Sequence, residues 1–154
     1  PHRQIIAFCG DGGLSMLLGD LMTIAQYRLA VKLIVFNNRS LGMVELEMQV
    51  AGLPDWQTKL INPKVAMVAE ACGIRGYSIT EPSALEKAIK EALLYDGPVL
   101  MNIFTNPHVP TLPPHTSVGV MSRYIQSQAK LALGGRMDEV WEAFRTNIKY
   151  IRDL

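Results

Sequence analysis

The stretch from residue 9 to residue 43 constrains the fold of this chain more than any other. Residues 5–9 and 33–36 are short, uninterrupted apolar runs with β-branched side chains, a pattern typical of buried strands. Between them, apolar side chains recur at helical spacing over residues 14–27. A crossover of this kind is right-handed and makes its two strands parallel. The stretch therefore predicts a strand–helix–strand unit whose strands end at the same edge of a sheet.

Polar residues follow both predicted strands. The sequence Gly-Asp-Gly-Gly begins at residue 10 and Asn-Asn at residue 37. Asp11 offers a carboxylate and Asn38 an amide carbonyl, which are hard oxygen ligands suited to Mg²⁺ or Ca²⁺. Gly12 and Gly13 let the backbone approach an anion closely at the N-terminus of a helix. Because open α/β sheets bind ligands at this edge, the pattern predicts a metal-bridged diphosphate site. The alternative is an ordinary turn in which Asp11 only caps the helix.

The rest of the chain continues the alternation of strands and helices. Residues 43–50 predict a short helix, residues 63–72 and 82–93 predict longer ones, and residues 74–79 and 99–104 predict strands. Asn62, which precedes a proline, is the predicted N-cap of the helix that follows it. We therefore expect an α/β fold with three layers, α/β/α, around a mostly parallel sheet. Two further helices, over residues 117–133 and 137–151, predict a helical tail.

Composition and charge restrict the class of protein. A chain of 154 residues suits one domain with a proper core, and 49% of the residues are apolar, but no apolar run is long enough to span a membrane. A net charge of +1 without a basic stripe argues against a nucleic-acid partner. Cys9 and Cys72 are predicted to be buried thiols in a reducing compartment, which indicates a cytoplasmic protein. The chain starts at Pro1 almost directly before a strand, so we expect it to be a piece of a longer protein.

The residues at both strand ends carry a resemblance. Gly10-Asp11-Gly12, followed after a helix and a strand by Asn37-Asn38, is similar to the thiamine-diphosphate motif of the decarboxylase and oxidase superfamily. The similarity extends through residues 69–74 and 96–100 to residues 135–140 near the end of the chain. In this distribution the chain resembles the pyruvate oxidases, in particular the membrane-associated, quinone-reducing pyruvate dehydrogenase of bacteria. The resemblance implies that residues 1–116 form a thiamine-diphosphate-binding domain and residues 117–154 a C-terminal helical tail.

The resemblance also implies a set of site residues. The metal ligands would be the side chains of Asp11 and Asn38 and the backbone carbonyl of Ser40. Met43 stands where the family often has an aromatic residue, so we expect a substrate pocket of a different shape. Glu47 aligns with an acidic residue near the reacting carbon, and its alternative is a solvated charge on a helix. The residues implied to contact the cofactor are Asp11, Gly12, Gly13, Asn38, Arg39, Ser40, Leu41, Gly42, Met43 and Val44.

The implied activity is oxidative decarboxylation of pyruvate to acetate and carbon dioxide. Thiamine diphosphate and Mg²⁺ would be anchored by this chain, FAD would be bound by a domain outside it, and quinone would accept the electrons. The family's active site lies between subunits, so a homo-oligomer is expected. Two alternatives remain open: an acetolactate-synthase-type or other 2-keto-acid decarboxylase, which shares the metal motif, and a non-catalytic binding or assembly module. A Rossmann dehydrogenase is disfavoured because the glycine spacing is wrong.

The last predicted helix is strongly amphipathic. One apolar stripe is formed by Met137, Val140, Trp141, Phe144, Ile148 and Ile151. On pattern alone, the stripe is expected to pack on the domain. The resemblance instead implies a regulated anchor at the inner face of the cell membrane, which covers the active-site region at rest and is released to lipid when the cofactor is reduced.

Overall fold

The computed structural model describes residues 3–109 and 117–151, with backbone alone for residues 149–151. The chain divides into two compact units. The first, called here the sheet unit, consists of Pro1–Arg39 and Leu60–Thr105; the second, the helical unit, consists of Ser40–Lys59 and Asn106–Leu154. In chain order the elements are β1 (Ile5–Gly10), α1 (Asp11–Met16), α2 (Asp20–Gln26), β2 (Val31–Asn37), α3 (Gly42–Val50), α4 (Val65–Ala71), β3 (Arg75–Ile79), α5 (Pro82–Leu94), β4 (Val99–Phe104), α6 (Val118–Leu133) and α7 (Met137–Ile151).

The sheet unit is built on four parallel strands. Their order is β1-β2-β4-β3, so the connection from β2 to β3 passes over β4. All three strand pairs are parallel. The carboxyl ends of β1 and β2 are aligned, because Gly10 at the end of β1 lies opposite Phe36 of β2. The predicted parallel sheet, and the common edge reached by the two polar motifs, are confirmed.

Helices cover both faces of this sheet. On one face, α1, α2 and α4 contribute Leu14, Leu21 and Val65 to a cluster with Val35 of β2 and Leu100 of β4. On the other face, α5 packs its small residues against the strands, in a cluster of Ile79, Ala88, Ala92, Val99 and Met101. The predicted three-layer α/β/α architecture is therefore confirmed.

The first helical segment differs from its prediction. The expected single helix over residues 14–27 is two helices, α1 and α2, separated by a turn in which Asp20 N donates to Leu17 O at 3.0 Å. Gly19, which has a low helix propensity, lies in this turn. As a consequence Leu17 is 63% exposed, whereas the helical spacing predicted it to be buried. Leu14 and Leu21 occupy the core as expected.

The helical unit contains α3, α6, α7 and the segment between residues 51 and 59. The helix α6 begins after Ser117, whose Oγ accepts a hydrogen bond from Val120 N, and it ends before a turn at Gly135, where φ is +87°. Arg136 then forms an ion pair with the buried Asp55 carboxylate at 2.9 Å, which fixes the start of α7. The predicted helices are confirmed. The predicted domain boundary after residue 116 falls next to residues 110–116, which lie outside the described part, and it stays a prediction.

In the described ranges 3–109 and 117–151, no helix combines the length and the apolar character needed to cross a bilayer.

Candidate functional site

Asp11 lies at the carboxyl end of β1 as the first residue of α1. Its side chain is buried, with 3% of the residue exposed. Because Gly10 pairs with Phe36, the two residues that follow, Asp11 and Asn37, lie at the same level of the sheet edge. Strands β1 and β2 are direct neighbours, so the acidic motif and the Asn-Asn motif meet here within the sheet unit.

A third polar residue, Asn62, joins these two motifs. Its Nδ2 donates to Asp11 Oδ2 at 2.6 Å and to Asn37 Oδ1 at 3.1 Å. The prediction that Asn62 caps the next helix is wrong, because α4 begins at Val65 and Lys64 occupies its N-cap position. Asn62 therefore precedes the helix, and its amide instead donates hydrogen bonds at the sheet edge.

Asn37 is buried, and both polar atoms of its side chain form hydrogen bonds. Its Nδ2 donates to Asn102 Oδ1 at 2.9 Å, and its Oδ1 accepts from the backbone N–H of Arg39 at 3.2 Å as well as from Asn62. Such a bond from a side chain to the backbone two residues later shapes a turn. Arg39 has φ of +57°, in the left-handed region that few non-glycine residues adopt. Asn37 therefore stabilises the turn that carries the half-buried Asn38.

In the described part of the chain, no cationic side chain balances the charge of Asp11. Among residues 3–109 and 117–151, no lysine, arginine or histidine forms an ion pair with this carboxylate, although it is 3% exposed. A buried carboxylate without a cation is unfavourable, and buried charges in proteins are normally paired or coordinate a metal. The nearby donors are carboxylate and amide oxygens, which Mg²⁺ prefers. The residues present therefore fit a divalent cation.

Two glycines near Asp11, Gly10 and Gly13, stand in open space among the described residues. Gly10 and Gly13 do not have positive φ, and a Cβ added to either would meet no atom within 4 Å. Neither a turn nor close packing thus requires a missing side chain at these positions. Gly12 is buried at the start of α1 and Gly13 is exposed. Open space beside a glycine-rich backbone suits a ligand that approaches the main chain.

The remaining predicted site residues, apart from Arg39, belong to the helical unit. Ser40 is buried, and its Oγ donates to Glu45 Oε2 at 2.7 Å. Leu41 N donates to Thr58 O at 2.8 Å, and α3 begins at Gly42. Along α3, the exposed side chains include three predicted site residues, Met43, Val44 and Glu47. The roles assigned to these residues, and to Arg39 in the sheet unit, stay predictions.

Sequence reasoning missed three asparagines of this site, Asn37, Asn62 and Asn102. Asn37 was part of the recognised motif but was given no contact of its own. Asn102 carried a signal, since it is one polar residue inside the apolar run of β4, and a buried amide needs a partner. Asn62 carried a misleading signal, because asparagine before proline is also typical of a helix start.

Comparison with known proteins identifies the kind of domain. Residues 1–103 match a model of the family described as thiamine pyrophosphate enzyme, C-terminal TPP binding domain. The chain belongs to this family. Thiamine pyrophosphate, also called thiamine diphosphate, is abbreviated TPP. The matched region of this TPP-binding domain includes the sheet edge described above, with Asp11, Asn37, Asn62 and Asn102.

Individual relatives support the same family assignment. The chain is 43% identical over 119 residues to YdaP of Bacillus subtilis (strain 168), which is described as a thiamine pyrophosphate-containing protein. The match covers 77% of this chain and 21% of YdaP. It is 31% identical over 123 residues to the mitochondrial acetolactate synthase catalytic subunit of Aspergillus candidus, covering 73% of this chain and 16% of that subunit. This TPP-binding domain thus spans about a fifth of the length of the relatives it matches.

Solved structures show the same fold. A thiamine diphosphate-dependent 4-hydroxybenzoylformate decarboxylase of Rhodococcus jostii RHA1 superposes with a TM-score of 0.65 at 28% identity, over 69% of this chain and 20% of that one. The benzoylformate decarboxylase of Polynucleobacter necessarius gives the same TM-score at 20% identity, over 73% of this chain and 21% of that one, which supports the fold alone.

Proposed function

We propose that this TPP-binding domain anchors thiamine diphosphate through Mg²⁺ in an enzyme that decarboxylates a 2-keto acid. The observation that carries the proposal is the Asp11 carboxylate, which is buried without a cationic partner among the described residues and lies beside open glycine backbone. In the proposed site, the side-chain oxygens of Asp11 and Asn38 hold the metal, and the backbone carbonyl of Ser40 is the third ligand.

The rest of the chain binds and orients the cofactor in this proposal. Gly12 and Gly13 give the diphosphate access to the main chain. The segment from Arg39 to Val44 contacts the cofactor. The side chain of Glu47 lies near the reacting carbon and takes part in catalysis. When bound, thiamine diphosphate supplies the electron sink for decarboxylation. The acid that activates the cofactor belongs to a part of the protein outside this chain.

For the whole protein we propose pyruvate oxidase activity, with pyruvate as substrate, FAD bound outside this chain, quinone as electron acceptor and a homo-oligomeric assembly. The support is the sequence resemblance through residues 69–74, 96–100 and 135–140. An acetolactate-synthase-type enzyme is the second candidate, supported by 31% identity to the synthase of Aspergillus candidus.

Product analysis separates these candidates. The protein that carries this chain is incubated with pyruvate, thiamine diphosphate, Mg²⁺, FAD and a quinone, and the products are quantified. Acetate formed with reduction of the quinone is the expected result. Acetolactate would establish the second candidate, acetaldehyde would indicate another decarboxylase, and absence of any product with intact cofactor binding would indicate a non-catalytic binding module.

The apolar stripe of α7 is a candidate surface for binding to a membrane. Met137, Trp141, Phe144 and Ile148 are 61%, 62%, 53% and 43% exposed, so these four members of the stripe are not buried by packing among the described residues. The rings of Trp141 and Phe144 stack at 5.9 Å between centroids. We propose that this stripe binds the membrane surface, as amphipathic helices with aromatic residues do.

A further inference from the structure

We propose that Asn62 is a positioning residue that orients the Asp11 carboxylate for its metal ion. The inference rests on the proposed function of the site, because it assigns a role to Asn62 only if Asp11 binds a divalent cation. Asn62 was outside the predicted set of site residues, and it acts through Asp11 without contacting the metal.

The contact between Asn62 and Asp11 is short and directional. Nδ2 of Asn62 donates to Asp11 Oδ2 at 2.6 Å, and hydrogen bonds to ionised acceptors are shorter than those between neutral groups. The same nitrogen lies 3.1 Å from Asn37 Oδ1, so both of its hydrogens are used. This contact restrains the rotation of the carboxylate group and occupies one side of one oxygen.

The orientation of the Asn62 amide is determined by its two acceptors, Asp11 and Asn37. An ionised carboxylate only accepts hydrogen bonds, so Asn62 must present nitrogen, not oxygen, to Asp11. Asn37 must present Oδ1 to Asn62, because that oxygen also accepts from the backbone N–H of Arg39. Nδ2 of Asn37 is then directed to Asn102 Oδ1 at 2.9 Å. A flipped Asn62 amide would place its oxygen against two acceptors.

The arrangement is anchored in the core of the sheet unit. Asn37 and Asn102 are each 2% exposed, and they belong to neighbouring strands, β2 and β4. The amide chain therefore runs from β4 through β2 to the segment before α4, and ends on the first residue of α1. Asn37 and Asn102 thus hold Asn62 in place, and Asn62 orients the carboxylate before any cation arrives.

A preoriented carboxylate matters more for Mg²⁺ than for Ca²⁺. Mg²⁺ demands nearly ideal octahedral geometry, whereas Ca²⁺ accepts flexible coordination. Loss of a partner that orients a metal ligand typically weakens metal binding 10- to 100-fold. We therefore expect removal of the Asn62 amide to weaken Mg²⁺ binding more than Ca²⁺ binding.

The test uses the protein that carries this chain. Asn62→Leu removes the amide and keeps the branched shape of the side chain, and Asn62→Ser serves as a second, smaller variant if the leucine prevents folding. Lys64→Gln, an exposed position two residues away, is the matched control. Mg²⁺ and Ca²⁺ are titrated calorimetrically at saturating thiamine diphosphate, and thermal unfolding is measured without metal.

The expected result is a rise of about tenfold in the Mg²⁺ dissociation constant for the Asn62 variants, a smaller rise for Ca²⁺, and no change for Lys64→Gln. Equal weakening of both metals would indicate general damage and overturn the inference, as would unchanged Mg²⁺ binding. If the unaltered protein shows no metal-dependent binding of thiamine diphosphate, the proposed function fails and the inference with it. If the unaltered protein binds, Asp11→Ala does not and the Asn62 variants bind normally, only the inference fails.

Discussion

Asn37 donates from Nδ2 to Asn102 Oδ1 at 2.9 Å, and this hydrogen bond joins two buried side chains of neighbouring parallel strands. Both strands are otherwise largely apolar, so the pair is a polar link within the core of the sheet unit. Its position next to Asp11 connects the packing of the sheet with the geometry of the site, because Asn62 contacts both Asn37 and Asp11.

Asn102→Leu should destabilise the protein by about 1–3 kcal/mol, because the buried Nδ2 of Asn37 would lose its acceptor. The free energy of unfolding is measured by urea denaturation. Met101→Leu, the adjacent buried position in β4, conserves volume and removes no hydrogen bond, so it should cost less than about 1.5 kcal/mol. Equal effects of the two substitutions would show that the hydrogen bond contributes nothing beyond packing.

The ion pairs at the start of α7 predict a dependence of stability on pH. Hydrogen bonding from Arg136, the largest cause, lowers the pKa of Glu139 below its ordinary value of 4.5. A carboxyl group with a lowered pKa in the folded state stabilises the protein above its ordinary pKa. That stabilisation is lost as the pH falls through the lowered value.

The comparison uses Glu139→Gln, which removes the charge and keeps the shape. Above about pH 5, where an unperturbed carboxyl group is ionised, the melting temperature of the unaltered protein should exceed that of the variant. The two should converge as the pH is lowered further. Glu86→Gln, in an exposed pair on α5 with Lys90, is the control and should have little effect. A constant difference between protein and Glu139→Gln at all pH values would contradict the assignment.

Removing the aromatic residues of α7 should reduce binding to lipid while the protein remains folded. Trp141 and Phe144 are 62% and 53% exposed, so the double substitution Trp141→Ser and Phe144→Ser removes more exposed than buried aromatic surface. Flotation with anionic liposomes should show less bound protein for this variant. A matched control, Val118→Ser with Ile125→Ser, changes two exposed apolar residues of α6. Equal flotation of the unaltered protein and the α7 variant would show that the stripe does not bind lipid.

Much of the sheet unit could be predicted from the sequence, because its strands are short apolar runs and its helices follow a clear period. The meeting of the two polar motifs at one edge could also be predicted, since parallel strands β1 and β2 place their carboxyl ends together. Local pattern could not separate α1 from α2, because apolar spacing continues through Leu17 while the turn depends on hydrogen bonds around Gly19.

The role of Asn62 could not be predicted for a different reason. Asparagine before proline favours a helix N-cap, and it serves equally well as a donor to a distant carboxylate. The choice depends on Asp11, 51 positions away in sequence, which approaches only once the sheet has formed. Similarly, the strand order β1-β2-β4-β3 depends on long-range packing. For example, β3 packs so closely on α4 at Gly76 that an added Cβ would collide with the Ala66 carbonyl oxygen.

The most direct test of the proposed function is calorimetric titration of thiamine diphosphate into the protein that carries this chain, with Mg²⁺ and with EDTA. The buried Asp11 carboxylate, without a cationic partner in the described residues, predicts tight binding with Mg²⁺ and none with EDTA. Asp11→Ala should abolish the Mg²⁺-dependent binding while the protein remains folded. Thiamine diphosphate affinity that is unchanged in Asp11→Ala would contradict the assignment of this sheet edge as the metal and diphosphate anchor.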